Sequence, residues 1–266
     1  MRLCSIASGS SGNCVYIGSD ATHLLVDVGI SGKRTESGLK ELGLTGRDID
    51  GILITHEHAD HISGLGVLAR KYEIPIYATA GTIKALKKCS GLGDLDHNLF
   101  HEVWEDKKLT LKDLTINPMR ISHDAAQPVG YRISYGSKKV AVCTDLGVYN
   151  DYTVECLKGM DALLLEANHD VNMLQVGPYP YYLKQRILGE KGHLSNENSG
   201  RLLCRILHDR LQTVLLGHLS KENNLPELAY ESVRMEIAMG DNPYTAGDFD
   251  IRVAKRSEVS PVIHIA

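Results

Sequence analysis

The sequence predicts an α/β chain in layers, with short strands and helices interleaved and one plan used twice. Three observations carry this. Twenty-five glycines stand against two phenylalanines and one tryptophan, a composition of many turns that suits a layered α/β or β protein better than a bundle of long helices. Strand-like runs open each half and helical stretches are interspersed among the later ones. No Pro/Gly/Ser segment is long enough to mark a linker, so residues 1–266 read as one domain built from two similar halves. With 43% hydrophobic residues, a chain of this length can bury a core of its own.

Arg2 to Ala7, Cys14 to Ile17 and His23 to Val28 are short β-type runs parted by Ser, Gly, Asn and Asp, so the chain opens as a meander. After Ser31, Leu39, Leu42 and Leu44 fall near helical spacing, and the apolar run Ile49 to Thr55 follows as a strand. Ile62 to Tyr72 and Ile83 to Lys88 read as helices around a short strand, Pro75 to Ala78. Leu114 to Ser122 is the next strand, and Val129 to Tyr135 with Lys139 to Thr144 flank a Tyr-Gly-Ser turn as a hairpin. The second half continues with a helix from Asp151 to Leu157, a buried strand from Ala162 to Leu165 and an irregular Pro/Tyr-rich stretch, Pro178 to Leu183. Ser195 to His208 is a helix with Ser195 as its N-cap. Thr213 to Leu216, a helix from Leu225 to Met239 and a strand from Ile251 to Ala254 come next, and Val259 to Ile265 closes the sheet.

With 29 basic and 33 acidic residues, the net charge of −4 exerts no overall pull on nucleic acid or an anionic membrane, so any anion site must be local. No run approaches the roughly 18 apolar residues of a spanning helix, and Met1 to Asn13 lacks a signal-peptide core, so a cytoplasmic location is expected. Six cysteines without a C-x-x-C pair exclude a zinc ribbon or a thioredoxin motif and read as reduced thiols.

The chemistry concentrates in Thr55-His56-Glu57-His58-Ala59-Asp60-His61, directly after an apolar strand. While the chain stays extended, His56 and His58 point to one side and Glu57 to the other; as it turns into a helix near Ile62, Asp60 and His61 enter the same cavity from another direction. Two adjacent metal positions follow. A zincin H-E-x-x-H would need histidine at position 60, which is Asp60, and a di-iron electron-transfer loop would need a carboxylate in place of His58. Further ligands stand where strands end: His123, Asp145 and His218. Asp145 is the natural shared ligand, His123 completes the set of His56 and His58, and His218 completes that of Asp60 and His61. Such ligands suit zinc, manganese or iron.

The loop His56-x-His58-x-Asp60-His61 resembles the H-x-H-x-D-H motif of the metallo-β-lactamase superfamily, and Asp27 in Leu-Leu-Val-Asp-Val-Gly resembles that superfamily's first motif, a carboxylate that supports the metal loop from behind. The resemblance spans nearly the whole chain. It implies an αββα sandwich of two mixed β-sheets flanked by helices, with two divalent ions at one edge between the halves. The segments Ser8 to Asn13, Glu166-Ala-Asn-His-Asp170 and Gly192-His-Leu-Ser-Asn196 are similar to those of the bacterial YycJ (WalJ) family, which is associated with 5′ exonuclease activity on DNA. The implied reaction is phosphodiester hydrolysis by a metal-bridging hydroxide, with Asp60 in the catalytic centre and His193, held by Glu166, protonating the departing oxygen. A DNA strand with a 5′ end is then the expected partner, and no membrane is.

Other classes stay open on the residues alone: a small-molecule hydrolase acting on a cyclic phosphodiester, lactam or thioester, ribonuclease Z-like RNA processing, or a non-enzymatic metal-binding module. Around the centre, Ser11 and Asn13 belong to a loop that is either a backbone nest for phosphate or a tight turn. His169 either lines the site or serves its loop, and Ser195 and Asn196 accompany His193. Tyr179, Tyr181, Tyr182, Lys184 and Arg186 suit strand binding or, equally, packing and solvated surface.

Overall fold

In the computed structural model, which describes residues 1–266, the first half supplies strands β1 (Arg2–Ala7), β2 (Cys14–Gly18), β3 (His23–Val26), β4 (Gly51–Leu53), β5 (Ile76–Ala78) and β6 (Phe100–Glu102). The second supplies β7 (Leu109–Leu111), β8 (Leu114–Arg120), β9 (Val129–Tyr135), β10 (Lys138–Cys143), β11 (Ala162–Glu166), β12 (Thr213–Gly217) and β13 (Asp250–Val253). A last short strand, β14 (Ile263–His264), returns to pair with β1. Two seven-stranded sheets result, ordered β14-β1-β2-β3-β4-β5-β6 and β13-β12-β11-β10-β9-β8-β7. Both are mixed on the same plan: β1 to β3 and β7 to β10 are antiparallel meanders, whereas β3 to β6 and β10 to β13 run parallel. The doubled plan read from the sequence is present.

Side-chain alternation makes the layers. Along β11, Ala162 and Leu164 enter a core of 21 buried residues between the sheets, while Leu163 and Leu165 enter one of 24 residues on the outer side of the second sheet. A third core of 22 residues backs the first sheet. Three cores of nearly equal size require four layers, the αββα sandwich. Helices α1 (Gly32–Glu41), α2 (Ala59–Ile62), α3 (Leu65–Tyr72) and α4 (Ala80–Leu86) belong to the first half; α5 (Asp151–Leu157), α6 (Val171–Val176), α7 (Tyr181–Leu188), α8 (Asn196–Cys204) and α9 (Pro226–Met239) belong to the second. Caps fix their starts: the Ser31 hydroxyl accepts from the Arg34 N–H and that of Ser195 from the Asn198 N–H. None of these helices is long and apolar enough to cross a membrane. All six cysteines are free.

Several boundaries differ from the sequence reading. β3 ends at Val26, not Val28, because Asp27 turns the backbone to a left-handed φ of 60°. The helix expected over Ile62 to Tyr72 begins earlier, at Ala59, and breaks at Ser63 and Gly64. At that break a Cβ on Gly64 would lie 2.0 Å from the Ile30 carbonyl oxygen, so only glycine lets the two backbones meet. The irregular Pro/Tyr-rich stretch opens α7, which runs on to Leu188, and α6 precedes it on an Asp170 cap. The closing strand shrinks from Val259–Ile265 to β14.

Candidate metal centre

The carboxyl ends of the parallel strands gather on one edge, and the candidate residues hang from them. Asp27 follows β3 and His56 follows β4; Asp145 follows β10, Glu166 ends β11 and His218 follows β12. Asp27, Asp145 and His218 all sit in left-handed backbone, at φ 60°, 59° and 57°. Such non-glycine conformations cost on the order of 1 kcal/mol each and cluster where a site requires them.

Both sheets contribute to one cluster. His56 Nε2 lies 3.0 Å from His58 Nδ1, which lies 3.2 Å from His123 Nε2. On the other side, Asp60 Oδ2 lies 3.5 Å from His61 Nε2 and 3.3 Å from His218 Nε2. Asp145 stands between: Oδ1 is 4.0 Å from His56 Nε2, 3.7 Å from His123 Nε2 and 3.5 Å from His218 Nε2, and Oδ2 is 3.2 Å from His61 Nε2. All seven residues grouped from the sequence are brought together, with Asp145 in the shared position. Glu57 points away, accepting from the Ala126 N–H.

The tautomers are set from behind. His61 Nδ1 lies 2.7 Å from Asp27 Oδ2, His218 Nδ1 2.9 Å from Glu166 Oε1, and His123 Nδ1 3.1 Å from the Gly192 carbonyl. Each acceptor requires a proton on Nδ1, which leaves the Nε2 lone pair directed at the cluster. Asp27 also accepts from the Thr55 N–H and hydroxyl, so the residue that ends β3 also braces the His61 ring. Glu166 takes four donors: Oε2 accepts from the N–H groups of Leu146 and Leu194, and Oε1 receives His218 and His193 Nδ1, the latter at 2.8 Å. The His193 ring remains part-exposed, with its centroid 5.1 Å from that of His123 and 5.2 Å from that of His218.

This arrangement has the chemistry of a cation seat. Donors bound at the usual 2.0–2.1 Å around a tetrahedral ion lie about 3.4 Å apart, close to the separations here. Asp145 Oδ2 is buried without a hydrogen-bond partner. Burial alone would lower the imidazole of His218, but Asp145, Asp60 and Glu166 outweigh it and raise it to about 10. His61 is likewise raised despite burial, by Asp145, Asp27 and Asp60, while burial holds His56 well below its ordinary value. One side of the cluster thus calls for positive charge, while burial on the other holds His56 and His123 below their ordinary value. His/Asp groups that could hold a metal are present on both sides.

The surrounding candidates divide. Asn13 reaches the cluster, its Nδ2 3.2 Å from His61 Nε2, and His169 is buried with Nε2 unpartnered and its ring pushed by burial to about 4. Three others make no hydrogen bond to the seven candidate ligands, and Ser195 takes the N-cap place read from the sequence. Ser11 is exposed and makes no bond to the cluster. The Ser195 hydroxyl is used as the α8 cap, and Asn196 is locked in a reciprocal amide pair with Asn224. The phosphate nest is not formed either: the N–H groups of Ser8, Gly9, Ser10, Gly12 and Asn13 all donate to protein acceptors, so the loop is the tight turn. Of the Tyr/Lys/Arg patch, Tyr181 and Tyr182 are exposed on α7, and Arg186 pairs with Asp124, whose Oδ1 lies 3.5 Å from His123 Nε2.

Sequence reasoning missed Thr55, Asn168, whose Nδ2 donates to the His218 carbonyl, and Ser8, whose hydroxyl accepts from the His218 N–H. Thr55 and Asn168 adjoin the motifs, which is the only signal they carry.

Comparison with known proteins agrees with this geometry. The model of the Beta-lactamase superfamily domain matches residues 22–218. The chain is 43% identical over 228 residues to exodeoxyribonuclease YycJ of Bacillus anthracis, covering 86% of each chain. It is 44% identical over 236 residues to exodeoxyribonuclease WalJ of Streptococcus pneumoniae serotype 2, covering 89% of this chain and 88% of that one. Among solved structures, the metallo-β-lactamase fold protein YhfI from Bacillus subtilis superposes with a TM-score of 0.73 at 19% identity, over 97% of this chain and 98% of that one.

Proposed function

Because the chain belongs to the beta-lactamase superfamily and, within it, to the family of the YycJ and WalJ exodeoxyribonucleases, we propose that it is a metal-dependent 5′ to 3′ DNA exonuclease. The observation that carries the reading is His193, whose Nδ1 is held 2.8 Å from buried Glu166 while its part-exposed ring stands beside those of His123 and His218. A lactam or thioester hydrolase has no need of such a proton donor at the leaving oxygen, whereas a departing 3′ alkoxide does.

Two divalent ions, zinc or manganese with iron as a third candidate, would supply activation of water and compensation of charge on the phosphate oxygens. His56 Nε2, His58 Nδ1 and His123 Nε2 would hold one, Asp60, His61 Nε2 and His218 Nε2 the other, and Asp145 would be shared. Asp27 and Glu166 hold the Nδ1 protons of His61 and His218 and make each Nε2 more basic, so that a bound cation would take the place of the Nε2 proton. Glu166 orients His193 so that Nε2 faces the reacting phosphate and delivers a proton to the leaving 3′ oxygen. Since ligands come from both sheets, the whole chain acts as one domain.

The test is purified protein with manganese or zinc on a 5′-phosphorylated linear duplex, bis(p-nitrophenyl) phosphate and a chromogenic lactam. Stepwise release of nucleotides from the 5′ end is expected; lactam turnover with inert DNA would replace the reading with a small-molecule hydrolase. His193→Ala should lower DNA turnover by about 10² to 10⁴-fold with metal content retained. Loss of metal from that variant would make His193 a ligand instead.

A further inference from the structure

We propose that Arg256, bonded to the turn that follows His218, anchors a phosphate group of the substrate strand. The inference rests on the exonuclease reading. β13 runs parallel beside β12 with Val253 level with Leu216, so the chain leaves β13 next to the point where His218 leaves β12. Ligands of parallel sheets bind outside such carboxyl ends. Arg256, half-buried, donates from Nη2 to the carbonyl of Leu219, the residue after His218, at 2.9 Å, and its Nη1 lies 3.5 Å from the Ser10 hydroxyl. Its remaining N–H groups have no protein acceptor.

The guanidinium also lacks a carboxylate partner. Glu222 acts on it only through space, and burial pushes its pKa below the ordinary value. It borders a cleft of about 600 Å³ whose lining includes Ser8, Leu219, Ser220, Lys221 and Lys255. Both lysines are ion-paired, Lys221 with Glu222 and Lys255 with Glu258, so of the three cations lining this cleft, which also holds Glu227 and Glu258, Arg256 is the one without an ion pair. The Ser8 to Asn13 turn fixes its distance from the centre, because Ser8 holds the His218 N–H and Asn13 touches His61. A planar fork with unspent donors, beside a hydroxyl and on the turn that follows His218, recognises a phosphate oxygen pair. That phosphate is either the terminal monoester of a 5′ end or an internal diester of the same strand.

The experiment compares wild type, Arg256→Gln and Arg256→Lys on oligonucleotide duplexes with 5′-phosphate and 5′-hydroxyl ends across a salt series. Arg256→Gln is expected to raise KM about tenfold with kcat little changed, and to reduce the slope of affinity against salt by about one. Arg256→Lys should restore part of the loss. A penalty confined to the 5′-phosphate duplex identifies the terminal monoester; an equal penalty on both identifies an internal diester. Unchanged KM and salt slope would overturn the anchor, as would a loss confined to kcat, which would mean that Arg256 only braces the His218 turn. If wild type cuts neither duplex, the exonuclease reading itself falls and the anchor falls with it; if wild type cuts and Arg256→Gln shows the same KM and salt slope, only the anchor falls.

Discussion

Replacing Asp145 by asparagine is expected to leave the protein folded but to strip it of most of its metal and to cut DNA hydrolysis by about a thousandfold or more, roughly 4 kcal/mol of barrier. Asp145 is buried among five imidazoles, with one oxygen facing His56, His123, His193 and His218 and the other facing His61. Two adjacent dications repel each other, and a carboxylate between them is what offsets that repulsion. Asparagine keeps the shape and one oxygen but loses the charge and turns an N–H2 toward a donor set. Elemental analysis and single-turnover rates on the same preparation measure both consequences. A variant that keeps its metal and its rate would place the shared ligand elsewhere.

Glu166→Gln should be nearly as damaging, for a different reason. Four donors converge on the two oxygens of Glu166, from Leu146, Leu194, His193 and His218. Glutamine offers one oxygen and one N–H2, so either orientation sets two donors against a donor inside a fully buried site. About 1–3 kcal/mol of stability should be lost for the stranded groups. Metal affinity should fall about 10 to 100-fold as His218 loses its support, and turnover should fall further as His193 loses its own.

The same carboxylate makes a pH signature. Burial would raise it, but His193 and His218 outweigh that and bring it to about 2, against an ordinary value of 4.5. A depressed carboxylate stabilises the fold fully above its unfolded value, and the contribution disappears as pH falls from about 4.5 through about 2. Wild type should therefore lose melting temperature more steeply than Glu166→Gln across that window. Parallel profiles would show that Glu166 is not ionised in the folded chain.

Much of this centre was legible because its ligands are chemically conspicuous and sit at strand ends. Three imidazoles within six positions have few other uses, and His123, Asp145 and His218 each follow a β-type run. α5 and β9 were read with their observed bounds because a polar cap and a hairpin turn delimit them. α7 was not, since Tyr181 and Tyr182 are exposed and Ile187 is its one buried residue, so no apolar stripe marks a helix. β6 and β7 are three-residue edge strands with little burial to betray them. The left-handed turns at Asp27, Asp145 and His218 leave no trace in residue type, because glycine would be the expected occupant. The small-residue composition of Ser8 to Asn13 suited a nest, but tertiary acceptors took up its N–H groups. Arg256 carries no motif, and only the alignment of β13 beside β12 brings it to the rim.

The most direct measurement is a metal count on protein purified without chelator, then stripped and reconstituted with zinc or manganese. Stoichiometric uptake of about two ions per chain, with nuclease activity lost on stripping and regained on refilling, is the predicted result. Protein that arrives empty, refuses metal on reconstitution and still degrades DNA would contradict the account.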